Sequence, residues 1–204
     1  MVIQPHDLIK VSDLSQLQWK EDNEWVTASL RRAPFVVVRR AEQTSDYIPV
    51  GIRGEQRNQR QAALLHRNGI EEIITPYKLA EQKSWNSLNA QRRELPVLRS
   101  FNKVAEIMGN WQWGPTGSAG FELATGYQAL KETSDLDIVV QAPQPIVITE
   151  AEEVLQQLDL LPIRTDIQIE TGNGAFLLRE WINKRTDKII LRTQKGPELV
   201  SNPW

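Results

Sequence analysis

The chain has 204 residues, 40% of them hydrophobic and 25% charged, with a net charge of −2, which gives ample length for one or two ordinary globular domains. The absence of cysteine excludes disulfides, thiolate nucleophiles and cysteine-ligated metal centres, and two distant histidines, His6 and His66, give no metal-ligand spacing. No apolar run approaches the roughly 18 residues of a membrane span, and the first eleven residues lack a signal-peptide core, so the expected location is cytoplasmic with no membrane contact.

In chain order, a small β-rich domain is expected over 1–76. Ala33 to Arg40 has the composition of a buried strand ending in two arginines, and Tyr47 to Arg53 that of a second strand. Pro49 inside it argues for an edge position or a bulge. Glu55 to His66 is expected as a helix or turn, with Arg57 and Arg60 three apart on one face. Between Arg31 and Arg67 eight arginines and no lysine stand against Glu42, Asp46 and Glu55, a local balance of +5 that leaves −7 for the rest. Guanidinium forks grip phosphate oxygens in pairs, so Arg40, Arg53, Arg57 and Arg60 are candidate phosphate-binding residues. Arg31 and Arg32 form a basic pair suited to steering an acidic partner protein.

A second domain is expected over 77–204. Its elements are a connecting helix from Lys78 to Asn89, a helix from Pro96 to Met108, and a short strand from Trp111 to Thr116. A helix from Ala119 to Leu130 follows, with Gly126 able to end it early. Strands at Ser134 to Gln141, Ile163 to Thr171 and Lys188 to Thr193 alternate with helices at Glu150 to Leu158 and Ala175 to Asn183. The fold class is therefore α+β, a β-rich domain followed by a mixed sheet covered by helices. The seven scattered tryptophans are read as packing residues.

The chemistry is concentrated in Thr116-Gly-Ser-Ala-Gly-Phe-Glu-Leu-Ala-Thr-Gly126 and Ser134-Asp-Leu-Asp-Ile-Val-Val140. Alternation puts Asp135 and Asp137 on one strand face, opposite Leu136 and Ile138. Two carboxylates so close repel unless a cation lies between them, and Mg²⁺ takes one or two carboxylates with water and phosphate completing its shell. Gly117 and Ser118, in a turn that opens a helix, offer N–H groups and a hydroxyl to an anion. Metal at one end and phosphate at the other outline a phosphoryl or nucleotidyl transfer site. In Ile163-Arg-Thr-Asp-Ile-Gln-Ile-Glu170, Asp166 is the preferred third carboxylate and Glu170 the reserve. Glu122, inside the helix, is read as structural.

A Gly-Ser turn, an Asp-x-Asp pair and a later carboxylate together resemble the nucleotidyltransferase superfamily. More narrowly, Val36-Val-Val-Arg-Arg40, Val50-Gly-Ile-Arg-Gly-Glu-Gln-Arg-Asn-Gln-Arg60, the two motifs above, Leu191-Arg-Thr193, Gly196-Pro197 and Pro203-Trp204 resemble the phosphoribosyl-dephospho-CoA transferase family of malonate decarboxylase systems, the holo-acyl-carrier-protein synthases. The resemblance runs along nearly the whole chain and implies a nucleotidyltransferase-like second domain. It implies transfer of the prosthetic group from triphosphoribosyl-dephospho-CoA to a serine of the acyl carrier subunit, with release of pyrophosphate. It further implies Mg²⁺ on Asp135 and Asp137, pyrophosphate contacts from Gly117 and Ser118, and a second metal or the serine proton at Asp166. The rival expectations are another Mg-dependent nucleotidyltransferase, one that adenylylates a protein or small molecule, and a non-enzymatic nucleic-acid binder. Against the last stand the net charge of −2 and the lack of aromatics interleaved among the arginines.

Overall fold

The computed structural model describes residues 2–20, 23–56, 58–183 and 187–204. It divides into two compact units, Met1–Thr75 and Pro76–Trp204. The first unit holds β1 (Leu8–Val11), β2 (Leu17–Trp19), α1 (Glu24–Arg32), β3 (Phe35–Val38), β4 (Tyr47–Arg53), β5 (Arg60–His66) and β6 (Ile70–Ile74). The strands form one antiparallel sheet in the order β2-β5-β4-β3-β1-β6. Its inward residues Ile9, Val36, Ile48, Val50 and Leu65 pack with Val26 and Leu30 of α1 in a core of its own.

Two expectations fail here. The described residues of 55–66 contain no helix: Arg60–His66 is a strand, with Ala63 and Leu65 buried while Arg60, Ala62 and Leu64 face outward. That period of two lets it pair with β4 over seven residues, from Tyr47↔His66 to Arg53↔Arg60. Pro49 lies on a strand paired on both sides, not at an edge. It is tolerated because β3 is ending beside it: the Arg39 N–H donates to the Pro49 carbonyl at 2.9 Å, and only the return bond is missing.

The second unit holds α2 (Pro76–Glu81), a 3₁₀ turn (Ser84–Ser87), α3 (Ala90–Arg93), α4 (Pro96–Met108), β7 (Gln112–Pro115), α5 (Gly117–Thr125), β8 (Leu136–Gln141), α6 (Ile148–Leu158), β9 (Thr165–Glu170), β10 (Ala175–Leu177), α7 (Leu178–Ile182), β11 (Ile189–Thr193) and β12 (Gly196–Val200). The sheet order is β12-β11-β10-β9-β8-β7, antiparallel except for β8 and β9, which run parallel. Between those two strands the chain passes through α6, as a parallel crossover requires. Leu136, Ile138, Val140, Ile167, Ile169 and Phe176 are buried with Phe101, Val104 and Leu158 of the helices.

The single helix expected at 78–89 is instead two short pieces. Lys83 adopts a left-handed conformation, and the turn after it buries Trp85, whose ring stacks on Phe101 at 4.7 Å. The helix expected at 175–183 starts only at Leu178, because Ala175 and Phe176, both wholly buried, pair with β9. The last strand, β12, is absent from the sequence expectation. The C-terminal Trp204 packs against Phe176 and Trp181 and donates its indole N–H to the Ala142 carbonyl at 3.0 Å.

Candidate active site

The parallel register of β8 and β9 sets Asp137 directly beside Asp166. Neighbouring strands lie about 4.8 Å apart, so two carboxylates stand side by side on the face opposite the buried Leu136, Ile138 and Ile167. Asp137 is exposed and Asp166 half-buried. Arg164 places its Nη2 3.5 Å from Asp166 Oδ2, an exposed contact that offsets little of the charge. Asp135 precedes the first residue of β8 and is half-buried. Among the described residues, no group of three or more His, Cys, Asp or Glu side chains is drawn together closely enough to enclose a metal ion. The structure thus assembles a pair, with Asp135 one alternation away. The pair suits Mg²⁺, which needs no more than two carboxylates when water and phosphate complete its shell. Glu170 is four residues farther along β9, about 13 Å from Asp166, and accepts from Gln168 Nε2 at 2.7 Å.

Gly117 closes the other side of the pair. It starts α5 with φ +57°, and a Cβ there would overlap the Asp137 carboxylate, standing 2.9 Å from its Cγ. Only glycine lets the first turn of a helix lie directly against that acid. The approach is fixed by the Thr116 N–H, which donates to the Asp137 carbonyl at 2.8 Å. Ser118, half-buried, is in the same turn, where the helix end favours negative charge. The helix stops at Gly126, whose φ is +73°.

Glu122 is 1% exposed and takes no part in the acidic pair. Arg92 grips it through Nε and Nη2, both at 2.8 Å, and the Ala129 and Leu130 N–H groups donate to Oε2 at 2.8 Å. Arg92 also donates to the Leu130 carbonyl at 2.9 Å, and its own pKa is pushed up by the hydrogen bonds it donates to Glu122. This clamp pins the loop between α5 and β8, and with it the approach to Asp135 and Asp137. The sequence carries no sign of Arg92, which is thirty residues from its partner.

In the first unit, Arg53 and Arg60 are paired across the β4–β5 hairpin, so two arginines share one register position. Arg60 donates to the Gln59 carbonyl at 2.9 Å, and Arg40, half-buried, follows β3. Arg57 lies outside the described residues. Arg31 and Arg32 are both exposed at the end of α1, and Arg32 is paired with Glu55.

Two family models together cover almost the whole chain. The phosphoribosyl-dephospho-CoA transferase MdcG N-terminal domain matches residues 4–76, and the MdcG C-terminal domain matches 81–203. The chain belongs to the MdcG family. Its MdcG relatives include proteins named phosphoribosyl-dephospho-CoA transferase from Pseudomonas putida (strain GB-1), 38% identical over 202 residues, and Klebsiella pneumoniae (strain 342), 36% identical over 200. The first alignment covers 98% of this chain and 94% of the relative, the second 98% and 95%. One of the same name from Azotobacter vinelandii is 35% identical over 201 residues, with 98% and 94% covered. No solved structure matches the chain. Gly117, Ser118, Asp135, Asp137 and Asp166 fall in the MdcG C-terminal match, and Arg40, Arg53, Arg57 and Arg60 in the N-terminal one.

Proposed function

We propose that this chain transfers the phosphoribosyl-dephospho-CoA group from 2'-(5''-triphosphoribosyl)-3'-dephospho-CoA to a serine of the apo acyl carrier subunit of malonate decarboxylase, releasing pyrophosphate. The observation that carries the reading is the Asp137–Asp166 pair held against the glycine-opened first turn of α5. Family membership supplies the substrate class.

The serine oxygen forms a bond to the α-phosphorus as the bond to the bridging oxygen of the leaving pyrophosphate breaks. Asp137 and Asp166 would hold Mg²⁺, with Asp135 one alternation away, and the ion when bound would supply charge neutralisation on the phosphate oxygens. Gly117 and Ser118 bind the departing pyrophosphate through backbone N–H groups and the serine hydroxyl. Asp166, half-buried at the strand start, takes the serine proton. The protein forms no bond to the transferred group, so positioning and electrostatics supply the rate. The first unit contributes an anion-binding element of its own in Arg40, Arg53, Arg57 and Arg60, for the substrate's phosphates.

The deciding experiment weighs the apo carrier subunit by mass spectrometry before and after incubation with enzyme, Mg²⁺ and the triphosphate. A mass increase equal to the phosphoribosyl-dephospho-CoA group, abolished by excess chelator, is expected. An unchanged carrier mass, or transfer undiminished in chelator, overturns the reading.

A further inference from the structure

A cleft of about 460 Å³ opens at the start of β9, between α6 and α7. Asp166 is part of its wall, so it adjoins the acidic pair. Leu155, Ile167 and Leu177 make an apolar floor. Thr165 also lines it, 4% exposed, and its Oγ1 is the one buried side-chain polar atom among the described residues without a hydrogen-bond partner. Buried hydroxyls are almost always satisfied, and this orphan sits in a residue of the cleft wall, where a small shift of the lining would open it to a ligand atom. The volume is that of a small-molecule site.

The polar lining narrows the ligand. Arg164 faces Asp166 at 3.5 Å, and Arg179 is bound through both nitrogens to Asp159, at 2.5 and 3.0 Å. Glu180 adds another carboxylate. Both guanidinium groups are therefore already faced by acids, and a phosphate finds no surplus of positive charge. A neutral, flat group with an apolar face and a hydrogen-bonding edge fits better. Guanidinium planes stack on such rings, and the Thr165 hydroxyl, the Asn183 amide and the Glu180 carboxylate offer the donors and acceptors of a base edge.

We propose that this cleft holds the adenine ring of the nucleotide substrate, an inference that rests on the transfer reaction above. In that substrate the base and the triphosphate are joined through two riboses, so a base beside Asp166 leaves the phosphates within reach of Asp137.

The test titrates adenosine into wild type, Thr165→Val and Asn183→Ala by ligand-observed NMR, and measures kcat and KM for transfer in the same three proteins. Thr165→Val keeps the branched shape and removes only the orphan oxygen. Adenosine should bind wild type and bind each variant on the order of ten-fold more weakly, the scale of one lost hydrogen bond. KM for the triphosphate should rise by a similar factor with kcat nearly unchanged. Transfer by wild type with adenosine affinity and KM unaltered in both variants overturns the subsite and leaves the reaction standing. Weakened adenosine binding in the variants, with no transfer by wild type, supports the subsite and sinks the reaction.

Discussion

Gly117→Ala isolates the contact on which the site depends. At φ +57° an alanine pays about 1–2 kcal/mol for the left-handed conformation. Its methyl group would also stand 2.9 Å from Asp137 Cγ. Carbon–carbon contacts relax at about 3.5–4.0 Å, so the carboxylate or the helix start must retreat by about 1 Å. Misplacing a reacting group by that distance costs about 10²-fold in rate. The expected result is a loss of about 1–2 kcal/mol in denaturant unfolding and a fall of about 10²-fold in kcat for carrier modification, followed by mass spectrometry. Gly126→Ala is the control. It carries the same backbone penalty at φ +73°, but nothing lies within 4 Å of its Cβ. It should lose comparable stability and keep near-normal transfer. If Gly117→Ala transfers as well as Gly126→Ala, the abutment of Gly117 on Asp137 has no bearing on catalysis, and the placement of the site is refuted.

The acidic pair should be far more sensitive: Asp137→Asn or Asp166→Asn should each lower transfer by on the order of 10³-fold with the circular dichroism spectrum unchanged. Transfer within ten-fold of wild type in either variant would count against the pair. Arg53→Ala should raise KM for the triphosphate with little change in kcat, and an unchanged KM removes that residue from substrate binding. Glu122→Leu leaves the Arg92 guanidinium without its buried partner and should cost about 3–5 kcal/mol in urea unfolding, whereas an unaltered midpoint would show that the clamp contributes nothing net. Asp7 gives a pH signature in the first unit. Burial pushes its pKa up to about 6, against the Gln4 N–H and nearby His6, which pull it down. Its folded form holds the proton between pH 3.8 and about 6 while the unfolded form has lost it, so stability falls as pH rises through that window and then stays lower. Asp7→Asn should remove about 3 kcal/mol of that fall, read as the wild-type-minus-variant difference in unfolding free energy across about pH 3 to 8. A difference that is flat with pH contradicts the shift.

What sequence could and could not convey follows from the range of each interaction. Alternation along Asp135–Ile138 and Thr165–Glu170 marks which side chains share a face, because strand geometry is local. It also separates Asp166 from Glu170, since position along a strand decides which acid can lie opposite Asp137. The same logic misled at Arg60–His66. There Ala62, Ala63 and Leu64 fit a helix as readily as a strand, and the seven-residue pairing with Tyr47–Arg53 decided the outcome. The left-handed turn at Lys83 was hidden for a related reason, since the rings that bury Trp85, Phe101 and Trp113, lie sixteen and twenty-eight residues on. The Arg92–Glu122 clamp and the orphan hydroxyl of Thr165 are tertiary facts throughout. An arginine in a polar stretch looks solvated until its partner is known. A threonine on a buried strand face looks satisfied until every neighbour is in place. Motifs of local geometry thus marked the acids, and the residues that hold the loop ahead of them and shape the adjoining cleft needed the fold.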